Sequence, residues 1–387
     1  MKFPIYLDNN STTQVDPRVL EEMLPFFSER FGNSASKQHS FGWIAESAID
    51  RARQRIASLL NANPEEIFFT SGATESNNLA ILGIAQAYQS KGNHIVTSSI
   101  EHPSVLEPCK SLGDRGFKIS YVRVDESGKV NLKDLKGLIN SKTILVSIMA
   151  SNNEIGTIQP VDEIAKICNA KNVLFHTDAV QSLGKVSLDA QKIQADLISI
   201  SAHKIYGPKG IGALFIRKRK PSIQLKPIIH GGGHEKGLRS GTLNVPCVVG
   251  FGKVCEIALN EMENETSKIK LMQNRLFDFL LSGIEDVSLN GHEIDRLPGN
   301  LNFKFKDVNA DLLLAEIKDV AFSSGSACSS AKAEPSHVLK AIGLAKNEIQ
   351  NSIRLSIGRF NTEDEIEYVG KRFTETVKRI RDKIAID

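Results

Sequence analysis

The chain has 387 residues, enough for two or three domains of about 150 residues each and a substantial buried core. Hydrophobic residues make up 41% and charged residues 24%, proportions typical of a soluble globular protein. The formal net charge of +3 gives no reason to expect a nucleic-acid or membrane surface. The five cysteines form no CxxC pair, which argues against a disulfide framework or an intrinsic metal site.

The N-terminus and the apolar stretches argue against secretion and membrane insertion. MKFPIYLDNN has too short an apolar segment for a signal peptide. The best membrane-spanning candidate, near Val248, is interrupted by Lys253 and Glu256. The sequence therefore predicts a cytoplasmic protein that binds no membrane.

Helical patterns open the chain. Asp16 followed by Pro17 predicts a helix over residues 18–27. Residues 44–60 place apolar side chains at helical spacing among arginines, which predicts an amphipathic helix with a solvated basic face.

Small residues then separate a strand over residues 67–70 from a helix over residues 75–88. The segment SGAT at 71–74 predicts an anion site, in which unpaired amides at the helix N-terminus point at a phosphate. The alternative is ordinary N-capping by Ser71 or Thr74, since these residue types cap many helices that bind nothing. On these residues alone, capping is the better interpretation.

Strand patterns alternate with helices through the next hundred residues, over 94–98, 118–124, 143–150, 173–176 and 197–200. This alternation predicts a mostly parallel sheet, and such sheets bind ligands at the carboxyl ends of their strands. Five polar residues fall at predicted strand ends: Thr74, His102, Asn153, Asp178 and Lys204.

Each of these polar residues also has a structural interpretation. His102 could stack on a flat ligand or cap the next helix, and Asn153 is a turn former first and a ligand contact second. Asp178 at a buried strand end needs a cationic partner or several donors, and a protonated pyridine nitrogen is one such partner.

Lys204 lies where the buried strand pattern stops, just before the turn GPKG. A lysine held there by rigid scaffolding can lose solvent, lower its pKa and become the amine nucleophile of a Schiff base. The alternative is an exposed turn lysine, as most lysines are.

Glycines and charged residues alternate in HGGGHEKGLRSGT at 230–242, which predicts a loop whose backbone approaches something closely or moves. A long helical stretch over 245–281 follows, and strand patterns return at 287–289 and 301–305. The change of pattern predicts a second, smaller α/β domain that begins near residue 260.

Two residues of this second region have candidate chemistry. Cys328 lies in a run of Ser, Gly and Ala, which predicts an exposed, mobile thiol, although a free cysteine is most often a buried small hydrophobe. Arg354 lies on a predicted half-buried strand over 352–359 and could hold a carboxylate in a bidentate grip. A helix over 363–384 closes the chain.

A Schiff-base lysine, a strand-end aspartate, a phosphate site and an arginine form the set that a pyridoxal phosphate site requires. With this set, the chain resembles the cysteine desulfurases among the class-V aminotransferase-like enzymes, nearly end to end. The segments that carry the resemblance are YLDNNSTT, FTSGATESNN, EHPSV, NNEIG, TDAVQ, SAHKIYGPKG, GGGHEKGLRSGT, SSGSACSSAKAEPSHVL and RLSIGRF.

The resemblance implies the α/β fold of the fold-type-I pyridoxal phosphate enzymes. A large domain with a mostly parallel seven-stranded sheet, residues 14–259, is expected to bind the cofactor. A small domain of residues 1–13 and 260–387 is expected to carry the Cys328 loop. The resemblance also implies a homodimer with two active sites at the subunit boundary.

The site residues follow from the matching motif positions. The expected catalytic residues are Cys328, Lys204, which forms the Schiff base, and His102, which stacks on the ring. Asp178 is expected to pair with the ring nitrogen, and Arg354 to hold the substrate carboxylate. The remaining expected contacts are Gln181 and Asn153 to the ring oxygen or substrate, and Ala73, Thr74, Ser201, His203 and the partner protomer's Thr242 to the phosphate.

The implied reaction converts L-cysteine to L-alanine and leaves a persulfide on Cys328, for transfer to iron–sulfur cluster assembly or another acceptor. No metal is expected to be intrinsic, although Cys328 would transiently contact a cluster on a scaffold protein. Related enzymes carry a C-terminal extension that helps to dock the scaffold, whereas this chain ends at Asp387, so the partner's identity stays open.

Two other functions stay open on the sequence. One is a different pyridoxal phosphate enzyme, such as a selenocysteine lyase or an aminotransferase, and Cys328 in its Ser-rich loop argues against the aminotransferase. The other is a non-catalytic sulfur-relay or assembly subunit. Lys204, Asp178 and Cys328 together argue against it, since a purely structural member would need none of them.

Overall fold

The structure, a computed structural model, describes residues 1–324 and 335–386. The helices are α1 Pro17–Met23, α2 Pro25–Ser28, α3 Ser40–Leu59, α4 Ala73–Tyr88, α5 Pro103–Gly113, α6 Leu132–Leu138, α7 Val161–Ala170, α8 Ala190–Ile193, α9 Val245–Gly283, α10 Ala310–Glu316, α11 His337–Ala341, α12 Lys346–Gln350 and α13 Glu363–Ile386. The strands are β1 Ile5–Tyr6, β2 Ile67–Thr70, β3 His94–Ser98, β4 Lys118–Val122, β5 Thr143–Ser147, β6 Leu174–Asp178, β7 Leu197–Ser201, β8 Gly212–Ile216, β9 Val287–Leu289, β10 Asn300–Phe305, β11 Val320–Ala321, β12 Ser323–Ser324 and β13 Ser352–Ser356.

Seven strands form the central sheet, in the order β2-β8-β7-β6-β5-β3-β4. The five strands from β7 to β4 are parallel to one another, and β8 pairs antiparallel with both β2 and β7. The expected α/β fold with a mostly parallel seven-stranded sheet is confirmed. Its carboxyl edge, where β3, β5, β6 and β7 end, carries the candidate site.

Helices cover both faces of this sheet, which explains why the central strands are apolar along their whole length. One face packs against α4 and α5 through residues such as Leu79, Ile84 and Val105. The other face packs against α3, α7 and α9, with Phe175 and Phe215 at the centre. Because the sheet is buried on both sides, side chains at its carboxyl edge stand on a rigid support.

A second core lies around an antiparallel sheet in the order β12-β13-β10-β9. The N-terminal strand β1 joins this region by pairing in parallel with β11, and Ile5 and Leu7 are buried in the same core. Helix α9 contributes to both cores and passes through residue 260 without a break. The predicted division at residue 260 stays a prediction.

Two local predictions near the N-terminus were wrong. The single helix expected over residues 18–27 is two helices, because Leu24 ends α1 and Pro25 occupies the first position of α2. The arginines of α3 do not form a uniformly solvated face. Arg53 is largely buried, pairs with Glu235 and lies over the Phe69 ring.

Within the described ranges, none of the helices combines the length and the apolar character needed to cross a membrane.

Candidate active site

A cavity of about 700 Å³ opens at the carboxyl edge of the central sheet. It brings together predicted site residues that are spread over almost 300 positions of sequence. Those that line it are Ala73, Thr74, His102, Asn153, Asp178, Gln181, Ser201, His203, Lys204 and Arg354.

Lys204 follows β7 directly, in a short 3₁₀ turn over Ala202–Lys204. Its Nζ donates to the backbone carbonyl of Asn10 at 2.7 Å and to that of Ser11. Burial, together with the positive charge of Lys185, lowers the pKa of Lys204 to about 7. Lys204 is therefore not the exposed turn lysine of the alternative interpretation, and a large share of its amine is unprotonated near neutral pH.

Asp178 is the last residue of β6 and is buried. Its Oδ1 accepts a hydrogen bond from the backbone N–H of Val180 at 3.0 Å, and its Oδ2 accepts one from Asn77 Nδ2 at 2.7 Å. Both donors are neutral. A carboxylate so placed favours a cationic ligand group, since an unpaired buried charge is costly.

His102 caps helix α5, and Pro103 occupies the first position of that helix. The imidazole Nδ1 accepts from the backbone N–H of Ser104 at 3.1 Å. Desolvation is the main cause that lowers the pKa of His102, and Lys204 contributes, so the ring is neutral near pH 7. The two interpretations of this residue are compatible, because the same ring caps the helix and lines the cavity.

The N-terminus of α4 has no side-chain cap. Its N-cap is Gly72, at φ +154°, a conformation that residues with a Cβ rarely adopt. The capping interpretation for Ser71 and Thr74 was therefore wrong. Uncapped amides and the positive end of the helix dipole face a cavity that Ala73 and Thr74 line, which makes this N-terminus suitable for a phosphate.

Ser201 and His203 also line the cavity, on either side of Ala202 in the chain. His203 Nδ1 is 3.1 Å from Thr12 Oγ1. Burial, together with the charge of Lys204, lowers the pKa of His203 to about 4, so the ring is neutral. The neutral His203 ring can donate a hydrogen bond to an anion without adding charge, whereas the Ser201 hydroxyl donates to the carbonyl of Ile211 at 3.3 Å.

Gln181 and Arg354 are already engaged by the N-terminal segment. The Gln181 side chain exchanges two hydrogen bonds with Asn10, each of 2.9 Å. Arg354 donates to Asp8 Oδ1 at 2.7 Å and to the carbonyl of Asn153 at 3.0 Å, while its Nε has no partner among the residues that the structure describes. Arg354 can therefore receive a substrate carboxylate only with part of its donor set.

Two predicted residues remain. Thr242 is exposed and lies outside the cavity lining. Cys328 lies outside the described residues.

The sequence interpretation missed several residues that shape the cavity wall. Asn10 and Ser11 lie in YLDNNSTT, which was recognised as a family motif but not as lining. Glu154 and His337 also line the cavity, and Asn77 supports Asp178 from behind. The sequence search looked for polar residues at the ends of predicted strands. None of these five residues ends a strand, so only their tertiary contacts identify them.

The chain matches the family model for Aminotransferase class-V over residues 5–369. It is 50% identical over 379 residues to "Cysteine desulfurase IscS" of Rickettsia bellii (strain OSU 85-389), an alignment that covers 98% of this chain and 92% of the relative. The chain belongs to the cysteine desulfurases.

Solved structures from this family have the same fold. A "NIFS-LIKE PROTEIN" superposes with a TM-score of 0.89 at 38% identity and covers 99% of this chain and 100% of its own. "SspA in complex with cysteine" gives a TM-score of 0.83 at 37% identity, with 92% of this chain and 100% of that chain covered.

Cysteine desulfurases use pyridoxal phosphate, and the residues of the cavity fit this group. The uncapped end of α4 suits the phosphate, and the Lys204 amine suits the aldehyde. Asp178 has only neutral hydrogen-bond donors on its oxygens and suits a protonated ring nitrogen.

Proposed function

We propose that the protein removes sulfur from L-cysteine, releases L-alanine and holds the sulfur as a persulfide on Cys328. The observation that carries this proposal is the position of Lys204. Its amine, with a pKa lowered to about 7, lines the same cavity as Asp178, His102 and the uncapped end of α4.

When bound, pyridoxal phosphate supplies an aldehyde for the substrate amine and a ring that withdraws electrons from the substrate Cα. The Asp178 carboxylate would hold the protonated ring nitrogen. The Lys204 amine, unprotonated in a large share of molecules at pH 7, accepts the proton from Cα. Arg354 would bind the substrate carboxylate, and the neutral His102 ring would help to hold the cofactor.

The sulfur step balances without an added oxidant. The Cys328 thiolate attacks the sulfur of cysteine, so that an S–S bond forms on Cys328 while the C–S bond of the substrate breaks. The substrate Cβ takes a proton, and the overall exchange converts cysteine and a thiol into alanine and a persulfide. A thiol reductant then releases the outer sulfur as sulfide.

The test is to incubate purified protein with L-cysteine and a thiol reductant, and to measure alanine and sulfide together. Equal amounts of the two products support the proposal. Cys328→Ala should abolish both products, and full alanine release by that variant would overturn the role of Cys328. The relative turnover of selenocysteine and cysteine distinguishes a cysteine desulfurase from a selenocysteine lyase.

Cys247 provides a matched control. It is partly exposed at the start of α9, where it packs against the core and its Sγ lies 4.0 Å from the carbonyl of Lys209, outside the cavity lining. Cys247→Ala should therefore keep the wild-type rate. A loss of alanine in this variant instead would show that cysteine substitution harms the protein in general.

We also propose a homodimer in which Thr242 completes the partner's phosphate site. Support comes from the loop that carries Thr242, which is held by two ion pairs, Arg53–Glu235 and Arg239–Glu75, while Thr242 itself is exposed. The loop thus presents Thr242 outward on a fixed support.

Mixed dimers test this arrangement. Lys204→Ala and Thr242→Val chains with different tags are co-expressed and purified through both tags. Each parent should be impaired, and the mixed dimer should recover about half of the wild-type rate because one of its two sites is intact. A mixed dimer no more active than its parents would contradict the role of Thr242.

An iron–sulfur scaffold protein is the acceptor that we propose for the persulfide, in the cytoplasm. Cluster assembly on a purified scaffold, with cysteine and iron supplied, should require Cys328. Transfer to a tRNA-thiolation protein but not to the scaffold would point to another pathway.

A further inference from the structure

We propose that Asn77 and Ser104 are positioning residues that join Asp178 to His102 and keep the proton of the neutral His102 ring on Nε2. The proposal deepens the proposed function and rests on it for the roles of Asp178 and His102. Neither Asn77 nor Ser104 lines the cavity, and both are buried behind its wall.

The connection is a continuous set of short contacts. Asn77 Nδ2 donates to Asp178 Oδ2 at 2.7 Å and to Ser104 Oγ at 2.8 Å. Ser104 Oγ in turn lies 2.8 Å from His102 Nδ1. One buried amide therefore contacts the carboxylate expected at the ring nitrogen and, through one hydroxyl, the imidazole expected on the ring face.

The direction of each hydrogen bond follows from the chemistry of the donors. The Nδ2 of Asn77 can only donate, so Ser104 Oγ accepts from it. The backbone N–H of Ser104 donates to His102 Nδ1 at 3.1 Å, so Nδ1 carries a lone pair rather than a proton. The Ser104 hydroxyl must then donate to Nδ1 as well, and the single proton of the neutral ring lies on Nε2.

The amide orientation of Asn77 is determined by the same argument. If its oxygen and nitrogen were exchanged, the oxygen would face Asp178 Oδ2, and two acceptors would meet without a proton between them. In this orientation, the Asn77 Oδ1 has no partner within residues 1–324 and 335–386. The site therefore keeps one buried acceptor unsatisfied in order to hold two groups that face the cavity.

The consequence is that His102 is held in one tautomer, with its proton on Nε2. Two donors on Nδ1 resist protonation at that atom, which acts in the same direction as the lowered pKa of the ring. Nε2, on the opposite side of the ring from α5, is then a donor only. His102 can thus give a hydrogen bond through Nε2 and does not compete with Lys204 for the substrate proton.

The first test reads the tautomer directly. Histidine is labelled with ¹⁵N in the full-length holoenzyme, and long-range ¹H–¹⁵N spectra are assigned with a His102→Gln variant. We expect an unprotonated Nδ1 and a protonated Nε2 at His102 in the wild type. Ser104→Ala should shift the ring toward a tautomer mixture, and Ser104→Thr, which keeps the hydroxyl, should restore the wild-type pattern.

Kinetics supply the second readout. Ser104→Ala and Asn77→Ala should each lower kcat/KM for alanine formation by about 10- to 100-fold, as for other groups that orient an imidazole. If the two residues act as one bridge, kcat/KM of the double variant should be no lower than that of the more impaired single variant. Losses that multiply, or a wild-type spectrum with Nδ1 protonated, would overturn the proposal.

A matched control exists at the opposite end of the sheet. Thr143 Oγ1 lies 2.7 Å from Nδ1 of the buried His94, the same hydroxyl–imidazole pair without a cavity. Thr143→Val should leave the His102 spectrum and alanine formation unchanged. Because the spectra need no turnover, a wild type that makes no alanine would refute the proposed function while the tautomer still tests the bridge.

Discussion

The two ends of the central sheet differ in whether their buried polar groups have hydrogen-bond partners. At the amino end, both ring nitrogens of His94 have partners, with Nδ1 2.7 Å from Thr143 Oγ1 and Nε2 2.9 Å from Ser120 Oγ. At the carboxyl end lie the four buried side-chain atoms that lack a partner among the described residues. They are Asn77 Oδ1, Glu101 Oε2, Thr177 Oγ1 and Arg354 Nε.

This difference distinguishes buried polar groups that stabilise the fold from those near the candidate site. Buried polar groups in proteins are nearly always hydrogen-bonded, because each unpaired one costs free energy. His94 and its partners Thr143 and Ser120 satisfy that rule at the amino end of the sheet. The carboxyl end breaks it beside a cavity whose lining includes Arg354 and the half-buried Lys204, while Asn77, Glu101 and Thr177 are buried outside that lining.

The largest effect that tests this contrast is expected from Lys204→Ala. Loss of the amine removes the group that accepts the substrate proton, so alanine formation should fall by at least about 100-fold. The variant should fold, because a lysine whose pKa burial lowers to about 7 is a cost to the native state rather than a support. Alanine release and circular dichroism measure the two parts, and a variant that retains more than a tenth of the rate would contradict the assignment.

Glu101→Gln should change how stability depends on pH. Burial, with a smaller contribution from the nearby Asp178, raises the pKa of Glu101 to about 8. Because the folded state holds this proton more tightly than the unfolded chain, the contribution is complete below about pH 4.5 and is lost as pH rises toward 8, by on the order of 5 kcal/mol.

The Gln side chain cannot ionise, so the stability of Glu101→Gln should fall less than that of the wild type between pH 5 and 8. Denaturant unfolding at several pH values measures the difference. Parallel curves for the two proteins would show that Glu101 is ionised in the native state already.

His94→Ala should affect stability and spare catalysis. The substitution leaves Thr143 and Ser120 without their imidazole partner and opens a gap at a position that is 1% exposed. We expect a loss of about 2 kcal/mol in the free energy of unfolding, with alanine formation within twofold of the wild type. A large loss of turnover at unchanged cofactor content would mean that the two ends of the sheet are coupled.

The smallest effect is expected from Arg123→Ala. Arg123 follows β4 at the carboxyl edge, but its side chain is 81% exposed and pairs with Asp134 away from the cavity. The free energy of unfolding should change by less than about 0.5 kcal/mol, and turnover should not change. A measurable loss of activity would show that a strand-end position matters even without contact to the cavity.

Much of the fold could be predicted because burial on both faces makes the central strands continuous apolar runs. β3, at His94–Ser98, has the bounds that the sequence predicted. The break between α1 and α2 was missed because a proline can begin a helix as readily as it ends one, and the periodicity alone does not distinguish these cases.

The candidate site divides in the same way. Asp178 and Lys204 could be found because Asp178 ends a buried strand, Lys204 closely follows another, and parallel strands end at one edge. Asn77 could not, because its position inside α4 has no distinguishing pattern and its partner Asp178 is 101 residues away. Arg53 was assigned to solvent since helical spacing cannot show that Glu235 would meet it.

Helix α9 links the unfolding of the two cores. Its 39 residues span about 58 Å and carry side chains of both cores, from Val248 near one end to Leu280 near the other. A cut of the chain at residue 260 would divide this helix and expose apolar side chains on both fragments. We therefore expect the backbone amides in the middle of α9 to exchange with solvent as slowly as those of either core, because neither region can open there while the other stays closed.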